Sequence, residues 1–232
     1  MARIDKARLT KTEILTVASR LFLSNGYTNT SIRAISNELE MSTGNVTFYF
    51  PTKEHILVEL TQLLCTFQGK LLDEEESEGY SSIMGICLEL ASMAVASELD
   101  ENMRDIFCSS YTSPMTLEII RRNDADRAKQ VFSEYCKDWT HEDFVQAETL
   151  VSGIEYATLM VTSDSASLET RIKGALTNIL KIYNVPKDII DRKIEKVFAL
   201  DYRNLGKRVL TDFKRFVDKT NEQAIEKIVH NF

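Results

Sequence analysis

Residues 30–54 read TSIRAISNELEMSTGNVTFYFPTKE, and the spacing inside this stretch decides the fold class. Thr30 or Ser31 suits the N-cap of a short helix whose inward face is Ile32, Ile35 and Leu39. The following "EMST" makes a turn, and Ser42 can cap a second short helix that runs to about Phe50 with Val46 and Phe50 turned inward. Pro51 stops that helix, and Thr52 caps a much longer one. An eight- or nine-residue helix, a turn of about four and another short helix are the proportions of a helix-turn-helix unit.

Upstream, Thr10 and Glu13 have the spacing of a capping box. Ile14, Val17, Ala18, Leu21 and Phe22 then recur at helical intervals, and Gly26 suits the left-handed position after a helix end. Arg3, Lys6 and Arg8 precede this helix. They read either as a basic arm able to reach phosphates or the minor groove, or as a solvated terminus. Downstream, Ile56, Leu57, Leu60, Leu63, Leu64, Phe67 and Leu71 make the long helix apolar well beyond what a small head needs. It is therefore expected to pack on a larger body as well, with a connector at Asp73–Gly79. The expected division is a head at 1–52, a shared connecting helix at 53–72 and a helical body at 73–232.

The body continues the helical period. Stripes run from Tyr80 to Val95, from Met103 to Tyr111, and through Ala128, Val131, Phe132, Tyr135, Cys136 and Trp139. Others occupy Phe144–Val161, Leu168–Tyr183, Ile189–Phe198 and Leu205–Val217, and the charged last dozen residues are expected to fray. Three prolines and eight glycines among 232 residues leave little of the punctuation an all-β chain requires. The chain reads as all-α: an N-terminal three-helix helix-turn-helix domain joined by a long shared helix to a larger helical C-terminal domain.

Composition narrows the function. No apolar run approaches the roughly 20 residues of a spanning helix, no apolar signal segment follows the charged start, and a cytoplasmic protein without a membrane partner is expected. Cys65, Cys87, Cys108 and Cys136, each placed on a predicted helix, have neither zinc spacing nor the density of a disulfide framework. They read as reduced, mostly buried thiols. His55, His141 and His230 are scattered; His141 suits a helix start. No phosphate-cradling glycine loop or serine-nucleophile motif occurs, so no cofactor, no metal and no enzyme activity are expected. The net charge of −7 divides unevenly: through Lys53 seven basic residues face four acidic ones, a balance of +3, which leaves −10 on the rest. Positive charge therefore sits where a polyanion would be met.

Within "STGNVTFYF" (42–50), Thr43, Asn45, Thr47 and Phe48 are polar or flat groups able to meet bases, sugars or phosphates. Asn45 suits a bidentate contact with adenine, and Thr43 can serve several bases or a thymine methyl. Gly44 permits close backbone approach. Tyr49 and Thr47 can donate to phosphates, and Lys53 adds its charge to the N-terminal dipole of the long helix as a phosphate clamp.

Several matches in order carry a resemblance over residues 12–57: Leu21–Phe22, Gly26–Tyr27, Thr30–Ser31, Ile35, Ser42 with Gly44, Tyr49–Phe50 and Thr52–Glu54. This quarter of the chain resembles the N-terminal domain of the TetR family of transcriptional repressors. The resemblance implies a homodimer on a near-palindromic operator in double-stranded DNA. It also implies an all-helical C-terminal domain that dimerises and often holds a small effector. By position it places Thr43, Asn45 and Thr47 among base and phosphate contacts, and Thr30, Ser31 and Lys53 on the DNA backbone; Ser42 and Arg33 complete the expected DNA-binding set. Two positions depart from the family pattern: Glu40 stands where Gly is usual, and Thr47 where Tyr is usual. Phe48 or Tyr49 is then the substitute for that phosphate contact.

The body is rich in side chains that could line a pocket for a lipophilic or aromatic effector: Met84, Phe107, Tyr111, Met115, Phe132, Tyr135, Trp139, Tyr156 and Met160. Residues 142–163 and 167–183, with Gly153 and Ala157 permitting close helix approach, are the first choice for a dimer interface built as a four-helix bundle. The last two helices are the alternative. The leading expectation is a ligand-released repressor. A constitutive or architectural DNA-binding dimer is the second reading, and a helical interaction protein or enzyme with an incidental helix-turn-helix the third.

Overall fold

The computed structural model describes residues 3–77 and 81–230, with side chains described over 6–71 and 81–229. Eleven helices and no strand occur among the described residues. The head is α1 (Arg3–Asn25), α2 (Ile32–Glu38) and α3 (Thr43–Tyr49). Helix α4 (Lys53–Ser77) leaves it for the body: α5 (Ser82–Leu99), α6 (Glu101–Thr112), α7 (Pro114–Phe132), α8 (His141–Leu159), α9 (Leu168–Ile182), α10 (Lys187–Ala199) and α11 (Tyr202–His230).

The head forms as its local signals direct. Gly26 ends α1 with φ +86°, and its N–H donates to the Phe22 carbonyl at 2.9 Å. Ser31 caps α2 by accepting from the Ala34 N–H, and Ser42 caps α3 by accepting from the Asn45 N–H. Ile14, Ala18, Phe22, Ile35, Val46, Phe50, Ile56 and Leu57 close the core between these helices. Lys11 pairs with Glu59 at 2.8 Å and Arg20 with Glu38 at 2.6 Å across the rim, so two of the seven basic residues are spent inside the head.

Helix α5 is the axis of the body. It is buried along nearly its whole length and packs against α4, α6, α9, α10 and α11. Contrary to the expectation that no run approaches membrane-spanning length, α5 has 18 residues of mean hydropathy 1.5. Its apolar surface is consumed by neighbouring helices, as expected of a helix that is hydrophobic on every side within a core. At Gly206 an added Cβ would lie 2.5 Å from the Val95 Cβ, so α11 crosses α5 almost backbone to backbone.

Five expectations are corrected. First, α1 begins at Arg3, so Thr10 is interior to a helix and Lys6 and Arg8 do not form an extended arm; the side chain of Arg3 lies outside the described residues. Ala7, Arg8, Leu9 and Lys11 are good helix formers, and α1 lies along α11, which outweighs the local capping signal. Second, α4 continues through the acidic stretch to Ser77, while Gly79 and Tyr80 lie outside the described residues. Third, α7 already starts at Pro114, with proline in the first turn where its missing N–H costs nothing. Fourth, α7 ends at Phe132, so Tyr135, Cys136 and Trp139 sit in the turns that follow, tied back by Tyr135 and Cys136 N–H groups donating to the Phe132 carbonyl. Fifth, α11 carries on to His230, whose side chain lies outside the described residues. Buried Asn221 and half-buried Ala224, Ile225 and Ile228 extend its inner face. No disulfide joins the four cysteines; Cys87 and Cys136 are buried, Cys65 and Cys108 half-buried.

Glu40, in the turn between α2 and α3, has φ +52°. The backbone thus keeps the left-handed conformation that glycine adopts freely, but with a side chain that disfavours it. Its exposure leaves the carboxylate no packing role. Glu40→Gly is therefore expected to raise the unfolding free energy by about 0.5–1 kcal/mol, net of the extra freedom glycine has when unfolded. A urea midpoint unchanged or lower in the variant would show that the turn carries no strain.

Candidate nucleic-acid interface and body cavity

Helix α3 stands at the edge of the head with only Val46 and the following Phe50 buried. Ser42, Thr43, Gly44, Asn45 and Phe48 are exposed, and Phe48 is 78% so, its ring set edge-on against Tyr49. The arrangement is a seven-residue helix whose polar side chains and one large aromatic ring project from a rigid three-helix base. The Thr47 hydroxyl is turned back onto its own helix, 3.1 Å from the Thr43 carbonyl. Arg33 and Ser31 are exposed on α2 beside it.

Two residues expected on the DNA backbone are engaged inside the head. Thr30 is buried, and its hydroxyl donates to the Gly26 carbonyl at 2.7 Å, stapling the loop between α1 and α2. Lys53 donates to the Tyr27 carbonyl at 2.8 Å, with its ammonium 4.0 Å from the centre of the Tyr27 ring. Partial burial holds its pKa below the usual lysine value. Lys53 thus braces the α1–α2 loop from the first turn of α4 and brings a fixed positive charge to that helix end.

The same loop is held from the body side by the first turns of α6. Thr28 donates to Asp105 from both its N–H and its hydroxyl, each at 2.6 Å, and Asn102 donates to the Ser24 carbonyl at 2.7 Å. A Cβ at Gly26 would lie 2.8 Å from an Asp105 oxygen, so the left-handed glycine also makes room for this contact.

Farther along, α6 lines a cavity of about 40 Å³ enclosed by α4, α5, α7, α8 and α9. Of the nine expected pocket residues, only Phe107, Tyr111 and Phe132 line it. Met84 is buried in the core elsewhere, Met115 and Met160 are exposed, and Tyr156 is half-buried away from the cavity. Tyr135 lines an outer groove, while Trp139 packs on Phe144 and Tyr183.

The polar lining was not anticipated. Glu89 of α5, Asp124 and Arg127 of α7, and Glu148 and Glu155 of α8 all converge on the cavity. Arg127 pairs with Glu89 and lies 3.4 Å from Asp124. Tyr183 donates to Glu148, and Tyr111 donates to Glu155 at 2.9 Å. Burial raises the pKa values of Asp124, Glu148 and Glu155 above the carboxylate range. Burial and the adjoining carboxylates likewise raise those of Tyr111 and Tyr183, which stay protonated as donors. The findable signal was Glu148 and Glu155, seven residues apart on one face of an otherwise apolar helix, with Asp124 and Arg127 three apart.

No group of three or more metal-ligating side chains occurs among the described residues. A braced three-helix head with an exposed short helix, carried on a larger helical body, defines the class of helix-turn-helix DNA-binding transcription regulators. Residues 14–60 match the family model described as bacterial regulatory proteins, tetR family, which supports a tetR family regulator with an N-terminal helix-turn-helix domain. Comparison with curated proteins found no match.

Proposed function

We propose that the protein is a repressor that binds a near-palindromic operator as a homodimer and is released when a small molecule enters its body. The observation that carries this reading is α3, whose exposed Thr43, Asn45 and Phe48 project from a head fixed on both sides by Lys53 and Asp105. Ser42, Thr43 and Asn45 are the base-facing group, and Asn45 is the adenine reader. Ser31, Arg33, Thr47 and Tyr49 lie where phosphates pass, and Phe48 supplies an apolar contact to sugar or thymine methyl. Thr30 and Lys53 act by holding the loop. The working division is the head at 1–52, α4 as the shared helix, and the rest of the chain as the dimerising body. A non-enzymatic, cytoplasmic role follows from DNA as the partner.

An outward patch on α8 and α9 supports the homodimer. Leu150 is 62% exposed and Val145 39%, with exposed Gly153 and Ala157 beside them. On the alternative surface, α10 and α11, Val229 is the one exposed large hydrophobic among the described residues. Helix α6 supports effector release: Asp105 holds the head loop, and Tyr111, further along the same helix, is tied to Glu155 in the cavity. A ligand that displaces Tyr111 would move α6 and bias the spacing of the two α3 helices away from the roughly 34 Å of successive major grooves.

Selection of bound sites from random duplex DNA tests the reading. A two-fold symmetric site should be enriched, with affinity falling steeply as salt rises. Asn45→Ala should relax base preference at one position of each half-site by about 1–3 kcal/mol, roughly tenfold to a hundredfold, with the other positions unchanged. Recovery of no symmetric site would refute the operator reading, and unaltered preference in the variant would remove Asn45 from the base readers.

A further inference from the structure

The cavity is out of electrostatic balance. Four carboxylates line it, from Glu89, Asp124, Glu148 and Glu155, and the single cation among its lining residues is Arg127. That guanidinium pairs with Glu89 and Asp124 through its two terminal nitrogens, while its Nε has no hydrogen-bond partner. Glu148 is buried, with 2% of its surface exposed, and its Oε2 has no hydrogen-bond partner although Oε1 accepts from Tyr183. A buried carboxylate oxygen without a donor is costly, so Glu148 Oε2 is open to a donor or a positive charge that a ligand brings.

The opposite end of the cavity is apolar. A second space of about 30 Å³, lined by Phe67, Met103, Leu210 and Phe213 among others, shares Gln68, Met93 and three further residues with the first. Gln68 and Met93 line both spaces, with the Gln68 amide donating to the Met93 sulfur at 3.3 Å. Methionine and glutamine change rotamer at little cost. Swung aside, they leave one slot that is anionic at α8 and hydrocarbon-lined at α4 and α11.

We propose that this slot binds a small organic cation, its protonated amine lodged between Glu148 and Glu155 and its apolar body lying past Gln68 and Met93 toward Phe213. The proposal rests on the reading of the body as an effector-binding unit and gives that effector its chemistry. Aromatic walls suit such a ligand, since Phe107, Tyr111, Phe132 and Tyr183 line the cavity, with Phe132 and Tyr183 stacked on each other at 4.2 Å. An ammonium donates to the unpartnered oxygen and neutralises charge that would otherwise be met by protons. The groups facing it are Cys65 from α4, Glu89 from α5 and Tyr111 from α6. Asp124 and Arg127 from α7, Glu148 and Glu155 from α8, and Tyr183 after α9 complete the set.

Isothermal titration of the full-length protein, without DNA, with benzylamine, benzyl alcohol and benzoate tests the charge requirement. Benzylamine should bind at least about tenfold more tightly than the alcohol, with benzoate weaker still, since a charge-assisted hydrogen bond adds roughly the 1.4 kcal/mol that a tenfold change represents. Its affinity should rise from pH 6 to pH 8 as the carboxylates ionise. Glu148→Gln should reduce amine affinity by about tenfold or more, and Glu155→Gln provides a second, near-isosteric variant should the first not fold. Equal binding of the three probes, tighter binding of benzoate, or no amine binding at millimolar concentration would overturn the proposal.

Operator affinity measured in parallel separates this from the broader reading. Amine binding that leaves DNA affinity unchanged keeps the cation site and removes effector release. Release by the alcohol or benzoate, without amine binding, keeps effector release and removes the cation site.

Discussion

Replacement of Arg127 by leucine should lower the unfolding free energy by about 3–5 kcal/mol at pH 7.5, the cost of removing one partner from a buried ion pair. Arg127 lies with Glu89 and Asp124 where each of Arg127 and Glu89 keeps only 14% of its side-chain exposure. Leucine fills much of the volume but leaves two carboxylates facing Glu148 and Glu155 with no cation between them.

The loss should depend on pH. Burial already raises the folded-state pKa of Asp124, and without the Arg127 charge it rises further, so the folded protein holds a proton the unfolded chain has released. Stability is then greatest at the acid end and falls as pH rises above the ordinary carboxylate range. The wild type slopes the same way, because burial already raises Asp124, Glu148 and Glu155. Urea unfolding followed by Trp139 fluorescence should therefore show the variant closest to wild type near pH 5 and furthest from it at pH 8. A variant gap that did not widen across this range would show that Arg127 is not what holds these carboxylates.

Leu150→Arg should convert the protein to a monomer and weaken operator binding by at least about a hundredfold, the avidity lost when one half-site must be held alone. The substitution suits the surface. Leu150 is 62% exposed, so the single chain loses no core packing, and Lys181 beside it on α9 makes a second positive charge repulsive rather than compensating. Sedimentation velocity reads the assembly state, and the urea midpoint should stay within about 0.5 kcal/mol of the wild-type monomer value. Persistence of the dimer would move the interface off α8 and α9.

These two residues also mark where the sequence could be read and where it could not. Leu150 was legible: α8 is apolar over more than one face, and a helix needs only one face for its own core. Ser31, Ser42 and Gly26 were legible for a different reason, since a cap or a left-handed glycine acts within a few residues of itself. Arg127 was not. On α7 it follows a run of Arg, Asn and Asp that resembles a solvated face, and its burial depends on Glu89 and Glu148 arriving from helices far away in the chain. The same non-local cause explains α1. Thr10 and Glu13 offered a local start, but contact with α11 stabilises the turns before them. Of the residues expected in a pocket, Phe107, Tyr111 and Phe132 line the cavity while Met84 is plain core, because packing and pocket walls use one residue vocabulary. The acids that mark the cavity were overlooked because charge is normally read as surface.

The close crossing at Gly206 has a consequence for the order of assembly. Helix α11 touches α5 at Val95 and also lies along α1, so the first and last helices of the chain are neighbours. During synthesis the head emerges well before its outer support, which arrives only when α11, starting at Tyr202, has left the ribosome. A nascent or truncated chain lacking α11 carries the helix-turn-helix without that support. Firm seating of the head is thereby coupled to synthesis of α11, an element made long after the head itself.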